Sequence, residues 1–336
     1  MKLRRSDPAA PGIRRIRCGK GFRYRHDDGS AVSAEDRARA QALVIPPAWT
    51  DVWICPDPRG HLQATGRDAA GRLQYRYHDE WRTVRDAAKH DRMFEFAKVL
   101  PQIRATVAEH LDQRGFPRER VLAGAVRLLD LGFFRSGSDA YTVEHGTFGL
   151  ATVRREHVTC RRGVVEFDYP AKHGIQREQA VADEAICRLI TGLRRRKDDN
   201  PELLAWRDST GWHDVKAAHI NAYLREISGG SFTAKDFRTW HATVLAAVGL
   251  AVSAEVTSPT ARKRAVARTV REVSEYLGNT PAVARRSYID ARVIDCYDDG
   301  RTVTGALDDL GEGVEPGSLA TAGPVEEAVT KLLRSA

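Results

Sequence analysis

The sequence predicts an α+β protein: a small β-rich N-terminal domain, then a larger, mainly α domain containing one small antiparallel sheet. Three observations predict this. Between Val44 and His78, short apolar and aromatic runs alternate with Gly and Pro, the punctuation of strands and turns. From Glu80, apolar residues fall at helical spacing: Met93, Phe96, Ala97, Leu100, Ile103, Val107 and Leu111. Strand-like runs at 149–153, 157–160 and 164–169 then interrupt a text that is otherwise helical.

In order, residues 1–35 are basic and polar and read as a partly ordered arm. Residues 36–90 form the β-rich domain, with strands expected at 44–49, 51–56, 61–66 and 73–78. Residues 91–310 form the mainly α domain. Its first helix covers 80–113, with Pro101 expected to kink or split it. A second covers 118–131 and stops at Gly132. Arg161-Arg162-Gly163 reads as a hairpin turn. Further helices are expected at 179–195, 217–227, 234–248, 261–277 and 281–295, and the tail 311–336 carries a short helix at 325–333.

The chain has 336 residues and a formal net charge of +8. An excess of basic over acidic residues, 53 against 45, with arginine the commoner base, points to a polyanion, most often nucleic acid. No apolar run is long enough to span a membrane, and no apolar stretch follows the Arg-rich start. A cytoplasmic protein is expected. The five cysteines are scattered, odd in number and never spaced as C-x-x-C. They read as reduced thiols filling the core, with neither a disulfide framework nor a zinc site.

Five residues, in chain order, make a set for phosphodiester chemistry: Arg135, Lys172, Arg238, Asn279 and Tyr288. Attack on a phosphodiester develops charge on the non-bridging oxygens and expels an oxygen that needs a proton. Arg135 and Arg238 suit the first task, because guanidinium grips phosphate oxygens in pairs. Lys172, at a hairpin tip, suits the second. Asn279 offers a neutral hydrogen bond. Tyr288 is the nucleophile, activated by surrounding positive charge. Taken singly, each has a plainer reading: a half-buried tyrosine, surface arginines, a solvated lysine, a helix cap. Only the ordered set carries the chemistry. His241 and His173 are set aside as ordinary histidines. The runs 194–197 and 262–264, and Arg268, read first as solvated cations and second as phosphate contacts.

Four stretches carry a resemblance: 129–135 (LDLGFFR), 167–172 (FDYPAK), 235–240 (KDFRTW) and 278–288 (GNTPAVARRSY). Together, in this order and spacing, they resemble the type IB DNA topoisomerases of the small bacterial and poxvirus group. The resemblance implies nicking of one DNA strand, a 3′-phosphotyrosine at Tyr288, strand rotation and religation, with no ATP and no metal in the chemistry. It implies a monomer clamping duplex DNA, and DNA contacts from Gln74, Tyr75, Tyr77, Tyr141 and Lys235. Poxvirus members carry His where this chain has Asn279, so a charged imidazole has no part here. The rival readings are a site-specific tyrosine recombinase, which usually has His where this chain has Lys235, and a non-catalytic duplex-binding protein on the same fold.

Overall fold

In the computed structural model, all residues are described except Met1, 138–141, 143, 145, 312–318 and Ala336, and the side chains of 82–90 and His173. Tyr141 therefore lies outside the described residues. The chain divides into two units, Met1–Asp91 and Arg92–Ala336.

The first unit is an antiparallel sheet of five strands: β1 (Ile13–Cys18), β2 (Gly21–His26), β3 (Thr50–Ile54), β4 (Leu62–Arg67) and β5 (Leu73–Tyr77), in the order β2-β1-β3-β4-β5. Helix α1 (Ala34–Ala42) is capped by Ser33, whose hydroxyl accepts from the Asp36 amide. Ile13, Tyr24, Val52, Ile54 and Ala64 form the core of one face, while Trp53, Cys55 and Leu62 cluster separately. Two expectations fail here. The basic start is more than a partly ordered arm: Ile13 is fully buried and its strand pairs with both β2 and β3. Residues 4–6 are pinned to 59–62 by backbone and Ser6–His61 hydrogen bonds. Abundant arginine hid an alternation that needed only one deeply buried position. Residues 44–49 form a turn instead of a strand, because Pro46 and Pro47 remove two ladder donors and Val44 takes a positive φ of 48°.

The second unit is mainly helical, with its described strands and helices packed around one core. Helix α2 (Asp79–Leu111) enters it at Arg92 and passes through Pro101 without interruption. Helix α3 (Arg118–Gly132) leads to a sheet of β6 (Val158–Arg161), β7 (Val164–Pro170) and β8 (Gln176–Ala182), ordered β6-β7-β8. Next come α4 (Glu184–Arg194), the hairpin β9 (Ala205–Asp208) and β10 (Gly211–Asp214), α5 (Ala217–Ser228), α6 (Ala234–Ala251) and α7 (Pro259–Leu277). Then follow α8 (Pro281–Ser287), α9 (Ala291–Asp298) and α10 (Pro324–Arg334). Phe96, Leu129, Phe134, Phe167, Ile186 and Phe237 lie in one continuous core; burying each contributes roughly 2–3 kcal/mol.

The small antiparallel sheet is as expected, but its strands differ. Residues 149–153 form a turn, where a Cβ on Gly149 would meet the Gly137 backbone at 2.5 Å. The helix expected from 179 starts only at Glu184, because Asp183 caps it by accepting from the Ile186 amide; the residues before it are β8. The hairpin β9–β10 was not foreseen. The helix expected over 281–295 is two helices, α8 and α9, with Tyr288 at the break. Of the cysteines, Cys55 and Cys296 are buried, Cys160 and Cys187 are half-buried and Cys18 is exposed.

Helix α10 locks to the interior through Glu326. Its carboxylate accepts from Arg104 (2.7 and 3.0 Å) and from the Trp240 indole (2.9 Å). Arg104 also holds Asp130 at 2.8 and 3.0 Å. Burial opposes ionisation of Asp130, but Arg104 outweighs it and holds the carboxyl well below the usual range. A depressed folded pKa makes this contribution complete at neutral pH and lost only in strong acid. Glu326→Ala strands two buried donors, so it should lower unfolding free energy by about 3 kcal/mol. Urea unfolding at pH 7 checks this; an unchanged midpoint would refute it.

Among the described residues, no helix is long and apolar enough to cross a membrane.

Candidate functional site

The site assembles at the ends of helices. Helix α3 stops at Phe133, whose φ of 54° turns the chain and is unusual for a bulky residue. Arg135 follows two residues on, its carbonyl bonded to the Leu150 amide and the next to Ala151. Lys172 opens a one-turn 3-10 helix, Lys172–Gly174, at the tip between β7 and β8. Arg238 lies in the second turn of α6, and Lys235 in its first, exposed to solvent. Helix α7 ends at Gly278, whose φ of 58° suits glycine; Asn279 is next, its amide bonded to the Ser274 carbonyl.

Tyr288 is held by its backbone. Its amide donates to the Ala284 carbonyl at 3.0 Å, ending α8. The next helix starts at Asp290, whose carboxylate accepts from the Arg292 amide. The Thr243 hydroxyl, on α6, accepts from the Asp290 amide at 3.1 Å. The break that carries Tyr288 is thus tied to the helix that carries Arg238.

A cavity of about 310 Å³ is lined by Arg135, Lys172, Lys235, Arg238 and Tyr288, with Phe148 and Thr147. A second, of about 340 Å³, shares Arg135, Lys172 and Arg238 and adds Arg177. Arg238 is 4% exposed. It donates to the carbonyls of Phe133 and Leu277, and its carbon centre stands 5.2 Å from the Tyr288 ring centroid. Its Nε is buried and has no hydrogen-bond partner. Burial, and then Arg135, push its pKa down to about 10. Arg135 donates to the Gly278 carbonyl at 2.7 Å and to Asn279 Oδ1 at 2.5 Å. Among the described residues, neither arginine is ion-paired with a carboxylate. Burial disfavours a Tyr288 phenolate, but Arg238, Arg135 and Lys235 outweigh it, and the phenol pKa is lowered.

Asn279 sits behind Arg135 and does not line the Tyr288 cavity. Its Oδ1 is taken by Arg135, which leaves its buried Nδ2 without a partner. Two buried donors, Arg238 Nε and Asn279 Nδ2, are therefore unsatisfied in a strongly cationic region. Such groups cost free energy unless an acceptor arrives, and the acceptor that fits them is an oxyanion.

A family model of the eukaryotic DNA topoisomerase I catalytic core matches residues 78–301, and one of the bacterial DNA topoisomerase IB N-terminal domain matches 21–68. The chain belongs to the type IB DNA topoisomerase family. It is similar to the DNA topoisomerase 1B of Acanthamoeba polyphaga mimivirus: 27% identical over 293 residues, 85% of this chain and 87% of that one. It is 23% identical to the DNA topoisomerase 1B of vaccinia virus (strain Copenhagen) over 266 residues, 77% of this chain and 81% of that one. With the DNA topoisomerase 1 of Daucus carota it shares 29% identity over 129 residues, 38% of this chain and 15% of that one.

As a member of this type IB family, the chain is an enzyme whose substrate is DNA. The expected DNA contacts fall as follows. On edge strand β5, the rings of Tyr75 and Tyr77 stack 6.1 Å apart on one face, and Tyr75 is 48% exposed. Gln74 points elsewhere and donates its amide to Asp68 at 2.9 Å. In the run 194–197, Arg194, Arg195 and Lys197 are exposed, as a solvated face would be, while Arg196 is buried and bonded to Asp198 and to loop carbonyls. Arg262 stacks over Tyr297 at 4.4 Å, and Arg268 donates to Ser253 at 2.7 Å. His241 is buried, with Nε2 3.1 Å from Asp130, a helix histidine that lines neither cavity.

Sequence reasoning missed Arg177, Gln179 and Thr243. Arg177 and Gln179 are two apart on β8, so a strand puts both on one face. The helix expected over 179–195 takes in Gln179 and begins just past Arg177, so the strand face they share is not visible in the sequence.

Proposed function

We propose that Tyr288, having lost its phenolic proton to solvent under the influence of the surrounding cations, attacks a phosphodiester in one strand of duplex DNA as the phenolate, forming its O–P bond as the bond from phosphorus to the 5′ oxygen breaks. Arg135 and Arg238 hold the non-bridging oxygens, joined by the Asn279 amide, and Lys172 protonates the leaving 5′ oxygen. The free strand then rotates. The 5′ hydroxyl attacks the phosphotyrosine, restores the DNA bond and releases Tyr288. The phosphodiester energy is kept throughout, so the reaction draws on no ATP.

The observation that carries this reading is the tyrosine in a cavity ringed by Arg135, Lys172, Lys235 and Arg238, beside two buried donors with no acceptor. Residues 91–310 act as the catalytic domain and 36–90 as the domain that grips DNA, with Tyr75 and Tyr77 on its exposed strand face. One chain acts as a monomer, in the cytoplasm and on the nucleoid.

The test is relaxation of supercoiled plasmid by purified protein with EDTA present and ATP absent. Complete relaxation at sub-stoichiometric enzyme is expected. Failure to relax the plasmid under these conditions would overturn the proposal.

A further inference from the structure

Three guanidiniums seat themselves on three successive carbonyls. Arg177 donates to Tyr276 O at 2.7 Å, Arg238 to Leu277 O at 2.8 Å and Arg135 to Gly278 O at 2.7 Å. These carbonyls end helix α7 and carry the negative end of its dipole. Among the described residues, none of the three arginines is ion-paired with a carboxylate. A helix terminus is a weak counter-charge: it fixes direction while leaving the positive potential largely intact. A carboxylate in its place would cancel the field that a phosphate must find.

The same strand face closes the other side. Gln179 donates its amide to the Gly132 carbonyl and accepts from Arg177 at 3.2 Å. Arg238 bridges the same two helix ends, through Phe133 and Leu277. Strand β8 therefore holds the termini of α3 and α7 in register, and those termini carry Arg135 and Asn279.

We propose that Arg177 is a positioning residue for the transesterification. It fixes the carbonyl row on which Arg238 and Arg135 are aimed, and adds a third cation beside them. The inference rests on the roles proposed above for Arg135, Arg238 and Tyr288.

A residue that acts in the transition state slows cleavage and religation by one factor and leaves their ratio alone. A residue that only binds DNA changes affinity. The experiment measures single-turnover formation of the covalent adduct, religation of the preformed adduct to an added 5′-hydroxyl strand, and duplex affinity. Arg177→Gln should slow both steps equally, by about 10- to 100-fold, with affinity unchanged. Arg177→Lys keeps a cationic donor for Tyr276 O and should recover most of the rate; it also serves if the Gln variant fails to fold. Wild-type rates in Arg177→Gln, a loss confined to affinity, or Lys no faster than Gln would each overturn the proposal. Tyr288→Phe, run alongside, judges the nucleophile separately: if it still forms adduct the parent reading falls, whatever Arg177 does.

Discussion

Tyr288→Phe should abolish covalent capture of DNA, with a loss of roughly 10⁴-fold or more in cleavage. The substitution removes one oxygen and keeps the ring. That ring stays half-buried beside Arg238, and the backbone ties to Ala284 and Thr243 do not involve the hydroxyl. Stability should therefore stay within about 1 kcal/mol of wild type, so loss of function cannot be ascribed to unfolding. The measurement is the protein–DNA adduct that survives detergent. An adduct at the wild-type level would show that another residue is the nucleophile.

Arg238→Met should slow cleavage by about 10³-fold, because it removes a preorganised cation from a buried site. It should also change the pH dependence. Arg238 is the largest influence lowering the Tyr288 phenol pKa, against the opposing effect of burial. Without it the pKa rises, and at any given pH less phenolate is present. The residual rate of the variant should then climb to a more alkaline pH than the wild-type rate does. Single-turnover cleavage from pH 6 to 10 reads both effects. Superimposable profiles would show that Arg238 does not tune the tyrosine, even if the rate fell.

Much of the candidate site was legible because the proposed chemistry needs particular residue types in a particular order. Arg135, Lys172, Arg238 and Tyr288 line one cavity, as that order implied. Asn279 came with a different posture: it holds Arg135, and only its Nδ2 is left to donate. Arg177 was not legible, since its meaning depends on being in a strand, and Asp183 just beyond it looked like a residue inside a helix. The break at Tyr288 was equally hidden. Pro281 announced a helix start, yet nothing local said that Asp290 would cap a second helix instead of continuing the first. That choice is made by Thr243, which is 47 positions away.

By itself, the sequence determined the α+β class, the basic character and the five residue types of the candidate site. Those follow from hydrophobic period, composition and motif order, which are local. Only the tertiary structure decided which carbonyls aim the arginines, where the helix carrying the tyrosine breaks and that the Arg-rich start joins a sheet. The physical reason is common to all three: each depends on a hydrogen-bond acceptor or a buried face supplied by a distant segment. A guanidinium has the same charge wherever it lies, and its direction comes from what it is bonded to.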